Sequence, residues 1–129
     1  NSTYIQYLFL QDVTEFFSWQ AYGLKEINKR WKGIIKKIKT GTESEYKLAI
    51  VEADDFLYQS LEAAGYNGET FEELVSSAGS KILPNFEDIL SDHEIRNSIV
   101  YNPDYDLDLE RARKILDNYE KAIKDVSVS

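Results

Sequence analysis

The sequence predicts an all-α fold, and three observations carry that expectation. Apolar residues recur at three- and four-residue spacing along most of the chain. Turn and stop signals at 40–42, 65–68, 84–85 and 102–104 separate the periodic stretches. No alternating apolar–polar run is long enough for a useful strand. With 129 residues, 43% of them hydrophobic, the chain suits one domain with an appended helix.

The first segment, 4–22, carries Tyr4, Ile5, Leu8, Phe9, Val13, Phe16, Phe17 and Trp19. Asp12 and Glu15 interrupt it, so it falls short of the roughly 20 apolar residues of a bilayer span and reads as an amphipathic helix. Its aromatics lie nearly all round, so the bundle, a second copy or lipid must cover it. Self-association or membrane contact is favoured over simple core. Gly23 either separates this helix from the next or kinks one long helix.

Segment 25–39 places Ile27, Trp31, Ile34, Ile35 and Ile38 on one helical face, with lysines covering the rest. Thr40-Gly41-Thr42 stops it. A helix from Glu43 follows, with a core stripe of Leu48, Ala49, Ala53, Phe56, Leu57, Leu61 and Ala64. Gly65-Tyr66-Asn67-Gly68 is a turn with two glycines available for positive φ. Thr70-Phe71-Glu72-Glu73 fits a capping box ahead of a short helix through Leu74 and Val75. Pro84-Asn85 opens a helix running to about Val100, since Pro suits a first turn. After the Asn102-Pro103-Asp104 loop, the last helix at 108–126 aligns Leu109, Ala112, Ile115, Leu116, Tyr119, Ala122, Ile123 and Val126.

Composition excludes many chemistries. There is no Cys, hence no disulfide, iron–sulfur cluster, thiolate zinc site or Cys nucleophile. One His leaves no multi-His metal site and at most one imidazole acid/base. The acids Glu52, Asp54, Asp55, Asp104, Asp106 and Asp108 lack metal-ligand spacing, and the Asp104–Asp108 run lacks the Gly of an EF-hand. No P-loop, dinucleotide fingerprint or nucleophile elbow is present, and no cofactor is expected. The chain also has no Met and starts Asn1-Ser2-Thr3, which reads as a trimmed or processed product with residues removed upstream.

The net charge of −8 disfavours nucleic acid as a partner for the whole molecule, but the charge is uneven. Residues 25–39 hold seven Lys/Arg against Glu26, a net +6, while 40–109 carry a net −13. Lys25, Lys29, Lys32 and Lys36 follow one stripe, with Arg30, Lys37 and Lys39 nearby. This basic helix fits an anionic membrane surface, helped by the aromatic segment before it. RNA phosphates and a plain solvated face, or one packed on the acidic body, are the other readings.

The second constellation is at 92–106. His93, Asn97 and Tyr101 follow at i, i+4 and i+8, with Arg96 alongside. Such a row suits a polar site. It equally suits a buried network in which Arg96 pairs with Glu52, Asp54 or Asp55, and buried charges need such partners.

Arg96-Asn97, three residues and then an aromatic resembles the Arg-Asn-x-x-x-His signature of HEPN domains. These are small helical bundles of prokaryotic toxins, RNases and nucleotide-binding modules. The resemblance spans about residues 31–126. It includes the Ala49-Ile50-Val51-Glu52-Ala53-Asp54 stretch, the Gly65-Tyr66 turn and the closing Tyr119-Glu120-Lys121-Ala122 helix. Together these are similar to a bacterial HEPN-like group with a Trp-led basic helix, many of which carry a membrane segment upstream.

The resemblance implies a HEPN-like bundle of four to five helices at 40–129, preceded at 1–39 by the aromatic and basic amphipathic helices. In catalytic members Arg and His cut RNA without metal, usually across a dimer. Arg96 and Asn97 match, but Tyr101 stands where the His belongs. A phenol, with a reference pKa of roughly 10, is a poor general base at neutral pH. His93 lies about 12 Å of helical rise before position 101. The expectation is a non-catalytic binding or interaction module, homodimeric and cytoplasmic, tethered to the inner membrane face through 4–39. Its contact residues to membrane or phosphate are Lys25, Lys29, Arg30, Lys32, Lys36 and Lys37. The alternative is a metal-independent ribonuclease or toxin using Arg96 and Asn97 with Tyr101 or His93.

Overall fold

The computed structural model describes residues 25–128. These residues form five helices and no strand: α1 at 25–39, α2 Glu43–Ala63, α3 Phe71–Ile82, α4 Phe86–Tyr101 and α5 Leu109–Ser127. The expected aromatic helix at 4–22 and the break at Gly23 lie outside the described residues.

Local chemistry sets the helix starts. Thr42 accepts from the Glu45 N–H, Thr70 from Glu73 and Asp108 from Arg111, so three of the helices begin on a side-chain cap. At α3 the Glu73 carboxylate reaches back to the Glu69 N–H, one residue ahead of the cap itself. The opening of α4 differs from the sequence expectation. Pro84 precedes the helix, and Asn85 makes no capping bond: its Nδ2 donates to the Asn118 carbonyl of α5, and its Oδ1 is buried without a hydrogen-bond partner.

The helices pack into one core with α2 at its centre. α1 runs antiparallel to α2: Arg30 lies over the Phe56 ring and donates to Gln59, while Lys37 pairs with Glu52. Ile27, Trp31, Ile34 and Ile38 of α1 are all at most 5% exposed, so this helix is part of the core. α4 is antiparallel to α2, with His93 at Asp54 and the Pro103 carbonyl at Lys47. α5 is parallel to α2, from the Leu107 N–H on Glu43 to the Tyr119 hydroxyl on Asp54. No helix among the described residues is long and apolar enough to cross a membrane.

Two expectations about residue placement need correction. Leu48, assigned to the core stripe of α2, is 45% exposed. It sits five residues from Ala53, which at 100° per residue turns it about 140° away from the buried centre. The turn after α2 also uses only one glycine at positive φ, Gly65 (φ 93°). Gly68 is required for space instead: a Cβ there would come within 2.8 Å of the Glu73 Cβ and the Leu74 nitrogen. The short third helix extends to Ile82, with a break at Gly79 (φ 75°, ψ 177°), a conformation essentially confined to glycine.

Candidate functional site

Asp54 is the hub of the polar interior. It is 2% exposed, on the flank of α2 that also carries Ile50, Leu57 and Leu61. Its Oδ2 accepts from the Tyr119 hydroxyl of α5 at 2.6 Å and lies 2.8 Å from His93 Nδ1 of α4. Its Oδ1 faces Arg96 Nε at 3.7 Å. One carboxylate therefore ties three helices, as a buried acid must if it is to recover what desolvation costs.

The proton positions follow from the partners. Burial, with the Asp54 charge adding to it, pushes the Tyr119 phenol well up, so Tyr119 keeps its proton and donates. A carboxylate has none to give, which assigns the bridging proton to His93 Nδ1. The other ring nitrogen, Nε2, lies across the ring from this contact. The nearest carboxylate oxygen to it is Glu72 Oε1, 3.7 Å away at the start of α3. The imidazole ring stacks on Phe71 at 4.0 Å between centroids and 3° between planes.

Arg96 is less tightly held than His93. Its Nη1 donates to Asn97 Oδ1, its Nη2 is 4.0 Å from Asp55, and its buried Nε makes no hydrogen bond. These side chains wall an open groove of about 350 Å³ between α2, α4 and the start of α3. Glu69, Thr70 and Tyr58 complete the rim. Burial raises the Asp55 carboxyl, with Arg96 pulling it back, and burial followed by the Glu62 charge raises the Tyr58 phenol. A second groove of about 330 Å³ lies between α1 and α2 over Gly33, flanked by Arg30 and Lys37. Among the described residues no group of three or more His, Cys, Asp or Glu is placed to hold a metal.

A further polar contact lies on the other side of His93. Asp92 is buried and accepts from Asn118 Nδ2 at 2.9 Å. Burial lifts its carboxyl to about 6, with the Asn118 hydrogen bond opposing.

The 93/97/101 row does not stay on one face of the bundle. His93 is 8% exposed, Asn97 is half-buried and Tyr101 is 83% exposed. Each i, i+4 step drifts about 40° round a helix, which carries the row from core to solvent over two steps. The structure joins His93 and Arg96 through Asp54 and leaves Tyr101 apart. On α1, Lys25, Lys29, Arg30, Lys32 and Lys36 are exposed and Lys37 is half-buried. Arg30 and Lys37 turn toward α2, whereas Lys25, Lys29, Lys32 and Lys36 point away from the core stripe.

Phe71 and Glu72 read in the sequence only as parts of a capping box, and Tyr119 only as part of the core stripe of the last helix. For Asp54 a signal existed: a carboxylate at helical spacing among Ile50, Leu57 and Leu61 is out of place unless it is paired. The class defined is an all-α bundle stapled by a buried Asp–His–Tyr network. No family model, curated relative or solved structure matches the chain.

Proposed function

We propose that this chain is a non-catalytic, HEPN-like binding module that docks on an anionic surface through α1. The surface in view is the inner leaflet of a membrane, with a homodimer as the docking unit. One observation carries the docking reading. Lys25, Lys29, Lys32 and Lys36 lie opposite the buried Ile27/Trp31/Ile34/Ile38 stripe, and neither they nor Lys39 on the stripe's flank have an ion-pair partner among the described residues. In a chain of net −8, with carboxylates in excess, Lys37, Lys47, Lys121 and Lys124 each pair with an acid. The free face spans about 16 Å from Lys25 to Lys36, a straight line suited to a flat array of head groups.

The non-catalytic part rests on Arg96. Its guanidinium faces Asp54 and Asp55, and the Tyr101 at the motif's His position is in solvent. Arg96 is a fastener in this reading.

A ribonuclease is the second reading, favoured by the Asp54-oriented His93 on the same groove as Arg96. Against it, an RNA phosphate there meets Asp54, Asp55, Glu69 and Glu72 for one guanidinium. Co-sedimentation with vesicles containing or lacking anionic lipid tests docking, with Gln at Lys25, Lys29, Lys32 and Lys36 expected to abolish it. Incubation with RNA in EDTA tests chemistry. Cleavage lost in Arg96→Ala would overturn the non-catalytic reading.

A further inference from the structure

The turn between α2 and α3 holds a chemically reactive pair. Of all the asparagines in the chain, only Asn67 is followed by glycine. The others precede residues whose side chains shield the next backbone nitrogen, or, at Asn102, a proline with no N–H. Hydrogen bonding within the turn leaves the same pair loose. The N–H groups of Gly65, Tyr66, Asn67 and Glu69 donate to Glu62, Leu61, Ser77 and Glu73. The Gly68 N–H and the Asn67 side chain meet no hydrogen-bond partner among the described residues, and both residues are exposed. With no helix to hold it and no side chain beside it, the Gly68 nitrogen is free to approach Asn67 Cγ. The other side of Gly68 is crowded. A Cβ there would meet the Glu73 Cβ and the Leu74 nitrogen at 2.8 Å, so the chain at 68 lies on the first turn of α3. Glu69 and Thr70, the next two residues, bond the carboxylate and the N–H of that same Glu73. A main chain lengthened between 67 and 68 cannot keep both this packing and these caps.

We propose that Asn67 is a site of spontaneous modification, converted through a succinimide to isoaspartate, and that the conversion loosens the start of α3. The Gly68 nitrogen gives its proton to a solvent base and attacks Asn67 Cγ. A new C–N bond closes the succinimide ring while the Cγ–Nδ2 bond breaks and ammonia leaves. Water then opens the ring at either carbonyl. Attack at Cγ gives aspartate on an unchanged main chain. Attack at the main-chain carbonyl breaks the original 67–68 peptide bond and routes the chain through Cβ and Cγ, one methylene longer. The net exchange is water in and ammonia out, with nothing oxidised or reduced. The site is independent of the lysine face of α1.

Incubating the folded full chain at neutral and at mildly alkaline pH tests this, with tryptic mapping of residues 48–81, a peptide whose single Asn is Asn67. Asn67 is expected to convert at least tenfold faster than Asn97, which precedes Ser98 inside α4. Its rate is expected to rise with pH, because the attacking nitrogen must lose a proton. Methyl transfer from S-adenosylmethionine by an isoaspartyl methyltransferase scores the isoaspartate. The converted chain is expected to melt several degrees lower, with faster amide exchange in α3. Asn67→Gln, whose longer side chain closes the ring poorly, is expected to keep its mass and its melting temperature over the same time. Asn67→Asp adds the charge without the extra methylene and is expected to melt with the fresh protein. Conversion at Asn67 no faster than at Asn97 would overturn the proposal. So would unchanged exchange in α3 after conversion, or an Asn67→Asp chain that melts as low as the converted one.

Discussion

Asp54, His93, Tyr119 and Arg96 show what a single buried carboxylate does in a helical core. Removing Asp54 leaves a buried phenol and an imidazole N–H without their acceptor and takes from the Arg96 guanidinium one of the two carboxylates it faces. Asp54→Ala is therefore expected to destabilise by about 3–5 kcal/mol. Tyr119→Phe removes one donor and leaves the rest paired, so its cost is about 1.5–3 kcal/mol. Urea denaturation measures both, and equal losses would mean that the hub role belongs elsewhere. Asp92 gives the opposite sign. Its folded value of about 6 stands above its ordinary 3.8, so the folded chain holds a proton that the unfolded chain releases. Stability from this group is full below about pH 4 and declines as pH rises to about 6. Above that, a buried charge remains, helped by Asn118 and Lys114 and opposed by Asp88. Asp92→Asn keeps an acceptor for Asn118. It is expected to raise stability at pH 7.5 by on the order of 1–3 kcal/mol and to give no gain at pH 4. Thermal melts at the two pH values check this.

The helices themselves were readable from caps and spacing. Thr70 and Glu73 announced α3, Asp108 preceded α5, and the Ile27–Trp31–Ile34–Ile38 rhythm marked the buried side of α1. Where the sequence misled, three-dimensional packing had taken a local signal for another use. Pro84, read as part of the first turn, precedes α4, which starts at Phe86, and Gly68 makes room for α3 rather than taking a positive φ. Gly79 inside α3 is the strictest of these positions, because its φ of 75° with ψ of 177° strains any side chain although the space beside it is open. Gly79→Ala is expected to destabilise by about 1–3 kcal/mol. A loss near zero in denaturant unfolding would show that α3 re-forms through the break.

At the scale of the whole molecule, charge is segregated by depth and by face. The lysine stripe of α1 and the carboxylates of the His93 groove are both exposed, so each acts at short range within a screening length of about 8–10 Å. Each lysine at an anionic surface contributes about 1 kcal/mol, so a single Lys→Gln in the stripe is expected to weaken vesicle binding roughly fivefold. Binding should also fall steeply with added salt. A salt-insensitive interaction would transfer the docking role from the lysines to apolar contact.

The sequence by itself determined the all-helical class, most helix ends and the basic face of α1, because period, caps and charge are local properties of neighbouring residues. It also singled out His93 and Arg96, and it named Asp54 among three acids as partners for Arg96. Only the tertiary structure placed Arg96 against Asp54 and Asp55 and not Glu52, and made Asp54 the hub, since His93 and Tyr119, 39 and 65 positions away, meet it through the antiparallel α4 and the parallel α5. The same packing sent Tyr101 into solvent and turned His93 toward an acidic groove. Those outcomes depend on how the helices are rotated about their axes, which no single segment encodes.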